Sequence, residues 1–252
     1  MLENPHVNSI FALHVSPNIP IGKVSLLKGS VMAAVDNFSI KIIGRGGHCA
    51  FPEETDDPIT IASHVIVMLN SLMNRKISAF DDVVLSIGKI VGGNRRNIIP
   101  NEVFVEGTLR TLNENIRKNT KLLVRKSCEM TSRTFGGKCI FKWVKWYDPT
   151  INNPEVVDLV KEGIKRFINE NVIYEESKPL MAADDFGYYL KNNKGAYFWL
   201  GYKENESKSL HNSQLLINEK ILFTGIQSFI GIVFEYFRII KENKKQGLEV
   251  EI

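Results

Sequence analysis

The sequence predicts an α/β fold in which a layered domain is interrupted by a smaller, inserted α+β domain. Three observations predict it. Apolar strands in the first 35 residues, together with strands and helices that alternate after residue 147, are typical of a layered α/β domain. Between these parts the pattern changes to strand, helix, strand, strand, helix, strand. The 252 residues are also enough for one or two domains of about 150 residues.

The inserted domain is assigned to residues 36–146. Phe38, Ile40 and Ile42 alternate with polar residues and predict a half-buried strand. Asp57-Pro58 predicts a helix start, with an N-cap followed by proline at the first helical position. The later elements are strands over 83–91, 103–112 and 139–146 and a helix over 114–133. This order is that of a split βαβ unit, a ferredoxin-like sandwich.

The flanking segments, residues 1–35 and 147–252, are expected to build the α/β domain. The predicted elements are strands over 10–15, 23–27 and 196–200, a helix over 154–171 and an apolar helix over 221–237 capped by Asn218. The last segment is shorter than the roughly 20 residues that a membrane span needs. It also contains Gln227, Ser228 and Glu235. We therefore expect a buried helix and no membrane contact.

Composition narrows the functional classes. The 32 Lys+Arg and 28 Asp+Glu give a net charge of +4 without a basic stripe, so we expect no nucleic-acid partner. Cys49, Cys128 and Cys139 are an odd number without C-x-x-C spacing, which argues against a disulfide framework and a thiolate zinc site. The N-terminus lacks the basic and apolar regions of a signal peptide. We expect a cytoplasmic protein.

Three histidines occupy distinctive settings. His14 is expected at the end of a buried strand, before a turn over 16–18, and His211 lies in the polar loop SLHNS. Ligands gather at strand ends of α/β domains, yet a lone histidine on an apolar strand is more often a core residue. His48 follows the glycine-rich turn over 44–47, which can also be a plain hairpin connection. Spacing alone therefore favours metal binding only weakly.

Six segments of the sequence resemble, in this order, the motifs of a known family: IFALHV, GRGGHCAFP, the GG-x3-NIIPNEV loop, EGTLRTL, MAADDFGYYL and SLHNS. Together they resemble the M20 metallopeptidase family, and within it the amidohydrolase branch that cleaves N-acyl amino acids. The resemblance implies a zinc-peptidase-like catalytic domain with two divalent metals, zinc, manganese, cobalt or nickel. It also implies that the inserted ferredoxin-like domain is a lid through which two copies form a homodimer.

The resemblance assigns roles to individual residues. His14 and His211 match metal ligands, and His48 matches a lid histidine that reaches the partner subunit's active site and stabilises the oxyanion. Asn97 and Arg110 match lid residues that hold the substrate's carbonyl and carboxylate groups. Asp184 and Asp185 are expected to support the site or cap a helix.

The family's other ligands come from a C-G-H motif and an E-E pair that precede the L-H-V strand. Neither stands before His14 in this sequence. We therefore expect an incomplete catalytic domain, with part of its sheet missing and an unpaired edge. One interpretation is the C-terminal part of an N-acyl-amino-acid amidohydrolase that acts on small-molecule substrates. The alternative is a truncated, inactive relative that only dimerises.

Overall fold

The structure is a computed structural model that describes residues 7–175, 177–204 and 207–245. The strands are β1 (Ser9–Pro20), β2 (Val24–Ser25), β3 (Gly29–Met32), β4 (Ala34–Ile43), β5 (Gly47–His48), β6 (Val83–Gly92), β7 (Ile98–Ile99), β8 (Glu102–Thr111), β9 (Lys138–Tyr147), β10 (Thr150–Asn152) and β11 (Lys194–Lys203). The α-helices are α1 (Pro58–Lys76), α2 (Glu114–Thr134), α3 (Pro154–Phe167), α4 (Phe186–Leu190) and α5 (Lys220–Lys245). Short 3-10 helices cover Pro52–Glu54 and Glu170–Val172.

The chain forms two compact units. The inserted domain comprises residues 33–149 together with 181–183, and the α/β domain comprises the described parts of 1–32, 150–180 and 184–252. The observed inserted unit begins and ends slightly outside the predicted bounds of 36 and 146. The short segment 181–183 had no signal in the sequence. The predicted fold class, an α/β protein with an inserted α+β domain, is confirmed.

The inserted domain is an antiparallel sheet of order β6-β8-β4-β9 with two helices packed against it. Asp57 caps α1 by accepting the Ile59 N–H at 2.9 Å, and Asn113 caps α2 in the same way. Alternate residues of β4, among them Phe38 and Ile40, enter the core with the apolar faces of α1 and α2. The predicted half-buried strand and the predicted helix start are confirmed.

A buried ionic cluster joins α2 to the sheet of the inserted domain. Asp36 on β4 accepts from Arg117 Nε at 2.6 Å and Nη2 at 3.0 Å, a bidentate pair, and from Lys121 Nζ at 2.8 Å. Both Asp36 and Arg117 are buried. Burial opposes charge on Asp36, but the hydrogen bonds from Arg117 and Lys121 outweigh it and lower the pKa of the carboxyl. The aspartate is therefore held ionised in the folded domain.

The α/β domain contains a three-stranded sheet of order β1-β11-β2, in which β1 and β11 run parallel. A second, two-stranded sheet joins β3 to β10. Odd-numbered residues of β1 up to Val15, such as Leu13, pack with α3 and α5 on one face. Even-numbered residues pack with Phe186 of α4 and Leu190 on the other. The sheet thus has apolar layers on both faces.

Several elements differ from the prediction. Strand β1 runs through the expected turn over 16–18 as far as Pro20, so the expectation that His14 ends its strand is wrong. Its register against β11 shifts between Ser16 and Pro20, where Pro17 cannot donate a ladder hydrogen bond. Helix α3 stops at Phe167, short of the predicted end at residue 171. Strands β3 and β10 and helix α4 had not been predicted.

Helix α5 is longer and less buried than the sequence suggested. It has 26 residues and is, by length and composition alone, the one helix in the described chain that could cross a membrane. Only 28% of its most apolar window is buried, so the expectation of a buried helix is wrong for most of its surface. Buried Glu235 nevertheless forms ion pairs with Arg238 at 2.6 Å and with Arg166 of α3 at 3.4 Å. One face of α5 is thus built into the α/β domain.

The contact between α3 and α5 depends on two glycines. A Cβ placed on Gly231 would lie 2.6 Å from the carbonyl oxygen of Gly163. We expect Gly231→Ala to lower the free energy of unfolding of the α/β domain by about 1–3 kcal/mol, because the helices must move apart. Gly225→Ala in the same helix is the control: its Cβ would meet Leu200 at 3.4 Å, an ordinary contact. Both variants are unfolded in urea. Equal free energies of unfolding would contradict the close packing of α3 against α5 at Gly231.

Candidate active site

His14 lies on the face of β1 opposite α3 and α5. Its ring stacks on Tyr197 with a centroid distance of 6.3 Å and meets the edge of Trp199 at 5.5 Å. Both aromatic residues are on β11, and Trp199 is the direct register partner of His14. The two neighbours hold the imidazole between aromatic surfaces. Sequence reasoning did not identify them, because their role depends on the pairing of two strands from opposite ends of the chain.

The hydrogen bond of His14 determines which nitrogen can bind a ligand. Nδ1 lies 2.8 Å from the Val15 carbonyl oxygen. A carbonyl oxygen can only accept, so Nδ1 carries the proton and Nε2 presents a lone pair. Metal-binding histidines commonly have their second nitrogen fixed by a backbone carbonyl in this way. The geometry of His14 therefore suits a metal ligand.

Asp184 is committed to two hydrogen bonds near His14. One carboxylate oxygen accepts the Phe186 N–H at 2.9 Å at the start of α4, and the other accepts the Tyr197 hydroxyl at 3.3 Å. Burial, reinforced by the Asp184 carboxylate, raises the pKa of Tyr197, so the phenol stays protonated and remains a donor. Asp184 therefore stands one residue before the N-cap of α4, which is Asp185, and its carboxylate closes a turn at the start of the helix. The Asp185 side chain forms no capping hydrogen bond with α4.

His211 lies in an exposed turn after β11. Its φ of +64° makes it the only non-glycine residue with a positive φ in the described part of the chain. This left-handed conformation costs a residue with a Cβ about 1–2 kcal/mol. Such residues cluster at active sites and ligand clamps, which favours a functional role for His211.

The donor set of the described residues does not complete a metal centre. No group of three or more His, Cys, Asp or Glu side chains that could hold a metal occurs in residues 7–175, 177–204 and 207–245. A structural zinc site takes four ligands, and a catalytic one usually takes three from the protein. His14 and His211 therefore fall short by at least one ligand, and no catalytic step can be assigned to a metal on these residues alone.

In the inserted domain, the structure brings His48 and Asn97 together. Strand β5 pairs with β7, with His48 opposite Ile98, and the Asn97 carbonyl accepts the Cys49 N–H at 3.3 Å. Asn97 thus directly precedes β7, with its backbone beside Cys49, in the pair of segments that we call the His48 hairpin (residues 44–56 and 96–101). Its formation requires contacts between two segments that helix α1 and strand β6 separate in the sequence.

Glycines allow the close backbone approaches in the His48 hairpin. A Cβ on Gly44 would lie 1.9 Å from the Asp56 carbonyl oxygen, and one on Gly46 would lie 2.4 Å from the Ile99 carbonyl oxygen. Neither distance is possible for a real side chain, so both positions need glycine. The Gly46 N–H also donates to the Asn101 side chain at 2.9 Å. The G-R-G-G-H stretch therefore fixes the direction of the backbone that carries His48.

His48 has the opposite proton placement from His14. The Ala50 N–H donates to His48 Nδ1 at 3.0 Å. A backbone N–H can only donate, so Nδ1 accepts and the proton of the neutral ring sits on Nε2. The exposed Nε2–H is then available to a ligand. A donor in this position suits the stabilisation of a carbonyl oxygen that is gaining negative charge.

Arg110 lies at the other end of the same domain. It is on β8, where it pairs with Val35 at the start of β4, and its Nη1 donates to the Met181 carbonyl at 2.8 Å. Ile43, the last residue of β4, pairs with Glu102, next to the His48 hairpin. The stretch of β8 from Glu102 to Arg110 spans roughly 26 Å at the usual rise of a strand. Arg110 and His48 of one chain therefore cannot contact the same small molecule.

Comparison with known proteins agrees with this architecture. Residues 28–131 match the peptidase dimerisation domain of the M20 family. The chain is 34% identical over 233 residues to hippurate hydrolase of Campylobacter jejuni, covering 91% of this chain and 59% of that protein. It is 33% identical over 224 residues to thermostable carboxypeptidase 1 of Saccharolobus solfataricus, covering 87% of this chain and 56% of that protein.

A solved structure gives the same result. The YXEP protein of Bacillus subtilis, described as a dinuclear metal binding peptidase of the M20 family, matches with a TM-score of 0.74 and 26% identity. The match covers 90% of this chain and 56% of that one. The chain thus spans between 56 and 59% of the length of these three proteins. Residues 28–131 are thus an M20 peptidase dimerisation domain, and the chain is similar to M20 peptidases along most of its length.

Proposed function

We propose that this chain is the part of an N-acyl-amino-acid amidohydrolase that carries the lid, two metal-binding histidines and the substrate-binding residues. The reaction hydrolyses the amide bond of a small N-acyl amino acid and releases a carboxylate and a free amino acid. The relatives include a hippurate hydrolase and N-acetyldiaminopimelate deacetylases, which are named for substrates of this type. We place the protein in the cytoplasm.

The opposite proton placement in His14 and His48 is the observation that carries the proposal. His14 presents a lone pair on Nε2, as a metal ligand must, and His48 presents an N–H on Nε2, as an oxyanion donor must. Each arrangement is fixed by a backbone group of a near neighbour in the sequence. One histidine suited to metal binding and one suited to hydrogen-bond donation fit a hydrolase better than a purely structural protein. In a structural protein, neither Nε2 would need a fixed proton placement.

The other residues complete the proposed roles. The backbone of Asn97 lies beside Cys49, next to His48, and the Asn97 amide would hydrogen-bond to the same carbonyl oxygen. Arg110 would bind the substrate's carboxylate, for which the guanidinium offers a planar fork. The divalent metals implied by the family would be held by His14, His211 and ligands that lie outside the described residues. Elemental analysis of the active enzyme would identify the metal among zinc, manganese, cobalt and nickel.

A homodimer is part of the proposal because Arg110 and the His48 hairpin cannot meet on one chain. The open edge of the sheet at β6 and the neighbouring helix α1 offer a surface for it. Val67, Ile90 and Val91 are 52–64% exposed there, a concentration of apolar side chains beside unpaired strand. Pairing of β6 with its copy would remove that edge. Analytical ultracentrifugation of the inserted domain would show whether this domain forms a dimer in solution.

The proposed activity can be tested with a chimera. The chain replaces the matched 59% of the Campylobacter jejuni hippurate hydrolase, which supplies the remaining part. We expect the chimera to hydrolyse hippurate or N-acetyl amino acids. The chain alone should hydrolyse them at background rate and should not retain stoichiometric metal after dialysis, because its two histidines fall short of a full ligand set.

The chimera and the chain alone test different parts of the proposal, and each experiment has its own contradicting result. A folded, dimeric and metal-loaded chimera that hydrolyses none of these substrates would refute the amidohydrolase assignment. Near-stoichiometric metal and clear turnover in the chain alone would refute the argument from the donor set. Metal content is measured by elemental analysis, so it does not depend on the choice of substrate.

A further inference from the structure

Two exposed apolar side chains lie next to His48 in the His48 hairpin. Phe51 and Ile98 are 52% and 53% exposed. The Phe51 ring lies 5.8 Å from the imidazole of His48, measured between centroids, and is tilted by 53°. Ile98 is the register partner of His48 in the antiparallel pair of β5 and β7. Directly opposite residues of such a pair are side-chain neighbours on one face, so His48 has an apolar neighbour on each strand segment.

The backbone holds Phe51 in this position. The Phe51 N–H donates to the His48 carbonyl oxygen at 3.0 Å, which closes a turn. Pro52 follows directly and begins the 3-10 helix Pro52–Glu54, and a proline restricts the backbone of the residue before it. The imidazole is held by the Ala50 N–H on Nδ1 at 3.0 Å. The aromatic ring and the Nε2–H donor are therefore fixed relative to each other before any ligand binds.

The chemistry of an N-acyl amino acid decides which part of it meets these side chains. The acyl substituent is bonded to the same carbon as the carbonyl oxygen, so it lies next to any group that donates to that oxygen. The other side of the amide carries the carboxylate assigned to Arg110. Within one chain, Arg110 lies roughly 26 Å along β8 from the end that adjoins the His48 hairpin. The carboxylate therefore points away from the hairpin that supplies His48, and the acyl group points towards it.

We infer that Phe51 and Ile98 form the contact surface for the acyl group of the substrate, and that this group is apolar and aromatic, such as benzoyl. The inference rests on the proposed function, because it places the scissile carbonyl at His48. An acetyl group is too small to cover two half-exposed apolar side chains. A charged acyl group would lose its water against them without gaining a partner. An aromatic acyl group can pack on the Phe51 ring in an offset or edge-on arrangement.

The test compares N-benzoylglycine with N-acetylglycine in the chimera with the hippurate hydrolase. We expect kcat/KM to favour N-benzoylglycine, and Phe51→Ala to lower this preference by about tenfold, mainly through a higher KM for N-benzoylglycine. Ile98→Ala should act in the same direction. Phe51→Tyr keeps the ring and should keep the preference. Because Phe51 and Ile98 are half exposed, their variants should fold. Leu122→Ala, on a 70% exposed residue of α2, is the control and should change neither constant.

Three results would overturn the inference while leaving the proposed function intact. The first is an unchanged preference in Phe51→Ala. The second is an equal loss of kcat/KM for both substrates in this variant, which would show that Phe51 only positions His48. The third is a higher kcat/KM for N-succinylglycine than for N-benzoylglycine, because the exposed Arg96 of the same hairpin could bind an acidic acyl group.

A chimera that hydrolyses none of these substrates would contradict the proposed function, and a binding measurement would then decide the inference. N-benzoylglycine is titrated into that chimera, and the methyl signals of Ile98 are followed by NMR. An aromatic ring bound against Ile98 should shift these signals, and the shift should be smaller in Phe51→Ala. No shift with N-benzoylglycine would overturn the inference.

Discussion

Replacing Asp36 with alanine is expected to lower the free energy of unfolding of the inserted domain by about 3–5 kcal/mol. The substitution leaves Arg117 buried with its main partner missing, since Asp36 holds the guanidinium through two hydrogen bonds of 2.6 and 3.0 Å. Lys121 loses its carboxylate partner at the same time. Urea denaturation followed by circular dichroism would measure the change.

Glu106→Ala is the matched control for this prediction. Glu106 lies in the same sheet and forms an ion pair with Lys89 at 2.9 Å, but both side chains are more than half exposed. An exposed pair of this kind contributes about 0–1 kcal/mol. Similar losses in the two variants would show that burial does not set the strength of the Asp36 cluster.

The same cluster predicts a dependence of stability on pH. The folded domain lowers the pKa of Asp36 below its ordinary value, so the folded state binds this proton less readily than the unfolded state does. The stabilisation is then complete above the ordinary aspartate pKa and is lost as the pH falls through the lower, folded value. Unfolding midpoints measured from pH 6 down to pH 3 should decline less in Asp36→Ala than in the wild type.

The fold was predictable where a repeating pattern is long. Helices α1 and α2 and strands β4, β6, β8 and β9 are each long enough to repeat their apolar pattern several times. The order of these elements therefore identified the inserted domain. Strands β3 and β10 have four and three residues and exist only because they pair with each other. No local pattern encodes such a contact. Ser16-Pro17-Asn18 misled the prediction because turn residues are tolerated in an edge strand.

The sequence named candidate site residues, but it could not give their arrangement. Resemblance pointed to His14, His48, Asn97, Arg110 and His211, and the structure gives each a defined position. The aromatic neighbours of His14 and the proton placement of both histidines required strand register and backbone geometry. The separation of Arg110 from the His48 hairpin likewise became visible only from the pairing of β4 with β8.

That separation leads to the prediction with the largest effect on activity. In the chimera, His48→Ala and Arg110→Ala should each lower kcat/KM by about 100-fold or more, because each removes a charge-stabilising or carboxylate-binding group. A heterodimer of one chain of each kind should recover about half of the wild-type activity, since one of its two sites receives an intact His48 hairpin and an intact Arg110. The heterodimer is isolated through two different affinity tags, and hippurate hydrolysis is measured per dimer.

A heterodimer of His48→Ala and Asn97→Ala chains is the decisive control. His48 and Asn97 share one hairpin, in which the Asn97 carbonyl accepts the Cys49 N–H at 3.3 Å, so each site of this dimer receives one damaged hairpin. It should therefore stay inactive, although it contains the same number of substitutions. If the His48→Ala and Arg110→Ala heterodimer also stayed inactive, all three residues would have to serve a site on their own chain. The distance of roughly 26 Å along β8 would then have to be closed by a rearrangement of the inserted domain.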